Sequence, residues 1–206
     1  MRLEGKKVLV VGTGVSGIAA TELLVKKQID TVLFDGNANL DIEKLYEKSD
    51  IVKEIPLLLG TITEEQMAQI DVAVLSPGVP TDLPMVCTMR EKGIVIWGEI
   101  ELAYYFAKGR IVAITGTNGK TTTTALTGEI MKSFFADVRV VGNIGIPYTS
   151  ETLTTTEETV TVAEISSFQL ETIQKFQPVV SAILNITPDH LNRHHTMEAY
   201  IQAKLD

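Results

Sequence analysis

The 206-residue chain predicts an α/β protein made of two consecutive parallel-sheet units. Three observations carry this. Short β-branched runs alternate with helical patterns, as parallel sheets covered by helices require. Glycine-rich turns join a strand to a helix twice, at residues 12–17 and 116–119. The composition, 45% hydrophobic and 21% charged, is that of a globular protein with buried cores, and no apolar stretch is long and uninterrupted enough to cross a membrane.

In the first unit the runs at residues 8–11, 31–34, 72–75 and 94–96 read as strands, with helical periodicity over 17–27 and 83–92. Residues 98–107 read as an amphipathic helix closing this unit, and Lys108-Gly109-Arg110 as a linker. The second unit is expected to place strands at 111–115, 138–141, 160–165 and 179–185, and helices at 121–134, 168–176 and 197–205. The Thr/Glu-rich stretch 148–159 reads as a solvated loop.

The most informative segment is Thr115-Gly116-Thr117-Asn118-Gly119-Lys120-Thr121-Thr122, between the apolar run 111–114 and a helical pattern. Glycines there let backbone N–H groups converge on an anion at a helix N-terminus, where the unpaired donors and the helix dipole favour negative charge. This is a phosphate cradle, with Gly116, Thr117, Asn118, Gly119, Lys120, Thr121 and Thr122 expected against a nucleotide's phosphates, Lys120 on the β/γ-phosphates and the Thr121 hydroxyl on Mg2+. The spacing is tighter than the usual pattern, since Ile114 stands where a glycine is normally found. The alternative is a Gly/Thr-rich turn with a surface lysine.

The first glycine turn, Gly12-Thr13-Gly14-Val15-Ser16-Gly17, follows a strand and opens a helix, with Asp35 at the end of the next strand. By itself this pattern reads as a dinucleotide-binding unit with Asp35 on a ribose hydroxyl, so a nicotinamide-dependent dehydrogenase is one hypothesis. The glycines certify only a tight turn and a close approach to phosphate or to a packed helix. Ser76-Pro77-Gly78 follows another strand and falls on the same carboxyl edge of the sheet, where ligands of open α/β folds bind.

Glu164 ends a strand beside the cradle and is a candidate for holding Mg2+, a cation that prefers oxygen ligands; the alternative is a helix cap at Ser166 or Ser167. Asp189 and His190 emerge on the same edge, while His194 and His195 read as solvated. The lone Cys87 excludes an intrachain disulfide and fits packing in a reducing, cytoplasmic setting; no signal peptide is evident. A net charge of −8 argues against nucleic-acid binding.

In their order along the chain, the cradle, Gly142-Asn143-Ile144-Gly145, Asn185-Ile186-Thr187-Pro188-Asp189-His190 and Ala203-Lys204-Leu205 resemble the ATP-dependent Mur ligases of peptidoglycan precursor synthesis. Glu164-Ile165-Ser166-Ser167-Phe168-Gln169-Leu170-Glu171, Gly98-Glu99-Ile100-Glu101-Leu102 and Ser76-Pro77-Gly78 look most like its D-glutamate-adding branch. The resemblance implies a Rossmann-like N-terminal domain over residues 1–107 that binds a UDP-sugar. It implies a P-loop ATPase-like central domain over 108–206, incomplete, with a C-terminal amino-acid-binding domain outside these residues. It further implies an enzyme joining D-glutamate to UDP-N-acetylmuramoyl-L-alanine through an acyl phosphate, acting as a monomer in cell-wall biogenesis, cell shape and division.

By the same resemblance Lys120, His190 and Lys204 are catalytic. Thr121 and Glu164 hold one Mg2+, and His190 with a carbamylated Lys204 holds a second. Gly14, Val15, Ser16, Asp35, Gly36, Asn37, Ser76, Gly78 and Asn143 contact the UDP-sugar. The chain departs from the family at Gly36-Asn37, where an arginine or another polar pair is frequent, and at Asn192, where aspartate is common. A further expectation is that Lys204, near the end of the last helix, is poorly ordered, and that these 206 residues alone lack ligase activity. A P-loop nucleotide-binding module without ligase chemistry is the third hypothesis.

Overall fold

The computed structural model describes residues 2–143 and 145–205, so Ile144 of the Gly142–Gly145 motif lies outside the described residues. Two parallel sheets follow one another along the chain. The first contains β1 (Lys7–Val11), β2 (Asp30–Asp35), β3 (Leu57–Leu59), β4 (Val72–Leu75) and β5 (Val95–Gly98), in the order β3-β2-β1-β4-β5. Its helices are α1 (Val15–Lys26), α2 (Ile42–Lys48), α3 (Glu64–Met67), α4 (Pro84–Glu91) and α5 (Glu99–Phe106). The second sheet contains β6 (Arg110–Thr115), β7 (Val138–Gly142), β8 (Val160–Glu164) and β9 (Val180–Ile183), in the order β7-β8-β6-β9. Its helices are α6 (Lys120–Lys132), α7 (Tyr148–Glu151), α8 (Ser167–Leu170), α9 (Leu191–His194) and α10 (Met197–Leu205). Among the described residues no helix is long and apolar enough to cross a membrane.

Alternation along each central strand explains the layering, because successive side chains point to opposite faces. Val8 and Val10 of β1 join Leu33, Val72 and Val74 in one core under α1, while Leu9 and Val11 join Phe34, Ala73 and Leu75 in another under α4. In the second sheet Ile111 and Ala113 face α5 and α7, while Val112, Ile114 and Val162 face α6. The register brings the carboxyl ends of its strands level: Ile114 pairs with Glu164, Gly142 with Glu164, and Thr115 with Ile183. The cradle therefore opens beside Glu164.

Four expectations need correction. The short strand β3, three leucines with no β-branched residue to mark it, was not foreseen. The helix expected over 168–176 ends after one turn at Leu170, because the buried Glu101 carboxylate accepts the backbone N–H groups of Gln174, Lys175 and Phe176 and draws that segment out of helical geometry. The stretch 148–159 is not a solvated loop. Tyr148, Thr149, Thr152 and Thr159 are buried, and Thr149 donates through both its amide and its hydroxyl to the equally buried Glu99. Nor does α5 simply close the first unit. Leu102 packs in the first core while Ile100 and Ala103 pack in the second.

Candidate functional site

The cradle is shaped by two glycines with left-handed backbone. Gly116 has φ 149° and Gly119, the N-cap of α6, φ 81°, a region in which a side chain is strained. A Cβ on Gly116 would also press on Leu184 and Asn185 at 3.2 and 3.3 Å. No side chain caps α6, so the first-turn N–H groups are open to an anion.

The loop is held from behind by the segment after β9. Thr117 N–H donates to the Asn185 carbonyl at 3.0 Å, and Asn118 and Asn185 exchange a reciprocal pair of hydrogen bonds at 2.9 Å. The Thr117 hydroxyl donates to the Thr187 carbonyl, accepts from the Thr187 amide, and lies 2.9 Å from the buried Tyr200 hydroxyl. Lys120 Nζ donates to the Thr117 carbonyl at 2.9 Å, within its own loop. Thr121 and Thr122 are exposed at the mouth.

Glu164 is 1% exposed, and its two oxygens accept from the Thr121 hydroxyl at 2.9 Å and the Asn143 amide at 3.0 Å. It caps no helix, since Ser166 caps α8 through a capping box with Gln169. Among the described residues no ammonium or guanidinium pairs with this carboxylate. Buried charges are normally paired or bound to metal, so an oxygen-rich site at Thr121 and Glu164 fits Mg2+. Among the described residues no cluster of three or more His, Cys, Asp and Glu is arranged to hold a metal, so protein side chains supply only part of any coordination sphere here.

Lys204 is well placed rather than frayed, contrary to expectation. It is 6% exposed and donates to the Thr115 hydroxyl at 3.0 Å and the Gly116 carbonyl at 3.2 Å, at the root of the cradle. Its ammonium also lies over the Tyr200 ring. Burial, reinforced by the nearby Lys120 charge and opposed by Asp189, lowers its pKa to about 8.

His190 has left-handed backbone, φ 52°, pairs with Asp189 at 3.4 Å and packs at a tilt of 52° against the Phe168 ring. Among the described residues neither Glu164 nor Lys204 hydrogen-bonds to it. His194 is not solvated as expected: it is buried against Ser167 at 2.9 Å, and burial depresses its pKa. His195 is exposed, near Asp82.

In the first sheet, Gly17 is required by close packing, for a Cβ there would lie 1.9 Å from the Gly12 carbonyl oxygen. Asp35 is engaged by this loop: it accepts from the Thr13 amide and hydroxyl and from the Asn37 amide. Burial alone would raise its carboxyl, but these hydrogen bonds outweigh it and hold the pKa below the usual value. Gly14 caps α1 without a side-chain bond, Val15 is 73% exposed, and Ser16 is half-buried. Gly36, Asn37 and Gly78 are exposed. The Ser76 Oγ is buried, faces Gly12 and Gly17, and has no hydrogen-bond partner among the described residues, which is a polar atom suited to a phosphate or sugar oxygen.

A cavity of about 290 Å³ opens over Gly12, Asp35 and Gly36, with Val79, Leu83 and Met85 as its apolar wall. Sequence reasoning missed this wall, and it missed Asn185 and Tyr200 as supports of the cradle. Asn185 stood in a quoted motif, whereas nothing local marked Tyr200.

Residues 6–98 match the family model "Mur ligase MurD-like, N-terminal domain", and residues 114–206 match "Mur ligase middle domain". The chain is 58% identical over 206 residues to the UDP-N-acetylmuramoylalanine–D-glutamate ligase of Lachnoclostridium phytofermentans, covering all of this chain and 45% of that protein. It is 47% identical over 205 residues to the ligase of the same name from Clostridioides difficile, again covering 45% of it. The chain thus spans about half the length of the curated relatives it matches. Among solved structures it is similar in fold to the UDP-N-acetylmuramate-alanine ligase of Thermotoga maritima, with a TM-score of 0.54, 22% identity, and coverage of 96% of this chain and 46% of that one.

Proposed function

From the premise that this chain belongs to the Mur ligase family, we propose that it carries the UDP-sugar and ATP sites of an enzyme that joins D-glutamate to UDP-N-acetylmuramoyl-L-alanine. The observation that carries the reading is the uncapped cradle of α6 beside a buried carboxylate, Glu164, with no cationic partner among the described residues. The names and identities of the curated relatives support the choice of substrate. Residues 1–107 form the UDP-sugar domain in this reading, residues 108–206 belong to the ATP domain, and the protein works as a cytoplasmic monomer.

Phosphoryl transfer of this kind depends on positioning and charge neutralisation more than on covalent chemistry by the protein. The backbone N–H groups at the start of α6 and the Lys120 ammonium hold the phosphates of ATP. Thr121 and Glu164 present oxygen atoms to Mg2+, which when bound neutralises phosphate charge. Asn143 keeps the Glu164 carboxylate oriented and contacts the substrate near the metal. A substrate carboxylate oxygen takes the γ-phosphoryl group as its bond to the β-phosphate breaks and ADP leaves; the neutral amine of D-glutamate then attacks the acyl carbon, and phosphate leaves as the nitrogen loses a proton. Gly14, Val15, Ser16, Ser76 and Gly78 hold the diphosphate and sugar, while Asp35, Gly36 and Asn37 border the uracil.

Lys204 fits carbamylation because its amine is buried, forms no ion pair with a carboxylate among the described residues, and has its pKa lowered to about 8. The neutral amine adds carbon dioxide, forming an N–C bond and releasing a proton. The resulting carbamate would be an anionic oxygen donor, and in this reading it and His190 would hold a second Mg2+.

The deciding assay is phosphate release by a full-length protein containing this chain, with UDP-N-acetylmuramoyl-L-alanine, D-glutamate, ATP and Mg2+. Release that needs all three substrates is expected; ATP hydrolysis indifferent to the other two would leave only a nucleotide-binding module. Titration calorimetry should show the 206-residue chain binding UDP-N-acetylmuramoyl-L-alanine and ignoring NAD. Tight NAD binding alone would return the dehydrogenase reading.

A further inference from the structure

Arg193 stands between the two units. Its Nη2 donates to the Val79 carbonyl at 2.9 Å and to Glu171 at 2.7 Å, and its Nε also faces the Glu171 carboxylate. The pair is nearly buried, with side chains 11% and 13% exposed. Glu171 in turn accepts from the Thr81 hydroxyl at 3.1 Å. Val79 closes the turn that begins at Ser76, through Val79 N–H to the Ser76 carbonyl at 2.9 Å, and it also walls the cavity over Gly12 and Asp35.

On its other side Arg193 belongs to the His190 turn. Its amide donates to the His190 carbonyl at 2.9 Å, and its guanidinium lies over the Phe168 ring, against which the His190 ring packs at a tilt. One side chain therefore touches the loop after β4 while its backbone shapes the turn that presents His190. The planar, five-donor guanidinium suits this bridging, which a lysine cannot reproduce.

We infer that Arg193, clamped by Glu171, is a positioning residue that fixes the spacing between the Ser76–Val79 turn and the His190 turn. A ligand held at one end by the first and at the other by the second then meets both without first drawing them together. Arg193 touches no substrate itself. The inference rests on the ligase reading, in which UDP-N-acetylmuramoyl-L-alanine is such a two-ended ligand.

Calorimetry of the 206-residue chain with UDP alone and with UDP-N-acetylmuramoyl-L-alanine tests it. Coupling between sites commonly amounts to factors of about five to a hundred, so Arg193→Ala should leave UDP affinity within about twofold and weaken the whole ligand about tenfold. Arg193→Lys should recover part of that loss. Because a lone buried charge destabilises the fold, the double variant Arg193→Met with Glu171→Gln removes both charges at similar volume and should show the same selective weakening.

An unchanged ratio of the two affinities in both the single and double variants would overturn the inference. So would an equal loss for UDP alone, which marks a general structural role. A wild-type chain that binds neither ligand would refute the ligase reading, and the inference with it.

Discussion

The Lys204 ammonium lies 3.0 Å from the Thr115 hydroxyl, so α10 and the first strand of the second sheet meet at the root of the glycine loop before α6. Its other hydrogen-bond acceptor, the Gly116 carbonyl, is equally neutral. A buried cation held by two neutral oxygens and the Tyr200 ring, with no ion pair among the described residues, is a weak point in the free protein.

Replacing Lys204 with Met should therefore stabilise the chain. Lysine titrates at 10.5 ordinarily and at about 8 here, so the unfolded chain binds this proton more tightly than the folded one. Stability should rise as pH increases from about 8 to 10.5, with the penalty complete below 8. Lys120 deepens the penalty and Asp189 opposes it. At pH 7 Lys204→Met should gain about 1–2 kcal/mol in urea denaturation and lose the pH slope above 8. A destabilised variant would show that the lysine is satisfied where it sits.

Lys120→Ala removes the only side-chain cation in the cradle loop itself. Loss of one preorganised contact to developing charge typically costs a few kcal/mol, on the order of a hundredfold in turnover of the full-length protein. UDP-sugar affinity should not change. Steady-state kinetics with unaltered ATP turnover would show the cradle to be misread.

Glu101→Ala strips the acceptor from three consecutive backbone N–H groups, those of Gln174, Lys175 and Phe176. Hydrogen bonds to a charged group contribute about 1.5–3 kcal/mol, and part of this would be regained from water, so a loss of about 2 kcal/mol is expected by thermal denaturation. Glu101→Gln keeps one acceptor and should lose less.

Gly17→Ala tests the first glycine turn. Its Cβ would meet the Gly12 carbonyl oxygen at 1.9 Å, backbone against side chain with nothing flexible to yield. A cost of about 1–3 kcal/mol is expected, together with weaker UDP binding, because the turn must move. Native-like stability and affinity would mean that the turn tolerates opening.

Features carried by contiguous residues were legible in the sequence. The cradle was found because strand, glycines, Lys120 and helix follow one another, and most strands because β-branched runs mark them. What escaped was set by distant partners. Tyr200 reaches Thr117 across 83 residues, and Arg193 reaches Val79 across 114. The helical pattern after Phe168 was real, yet Glu101, more than 70 residues earlier, overrides it. His194 and Thr149 looked polar enough for solvent, but buried partners, Ser167 and Glu99, satisfy them.

Because α5 gives Leu102 to one core and Ile100 and Ala103 to the other, the order of synthesis matters. When residues 1–107 have left the ribosome, α5 can dock on the first sheet, but its second face stays bare until β6, β8 and the 173–176 segment have been made. Chains that fold as they emerge expose such faces to aggregation and to chaperones. The nascent protein thus passes through a vulnerable interval about seventy residues long, and translation speed across that stretch, more than the final stability, should govern how much of it reaches the native state.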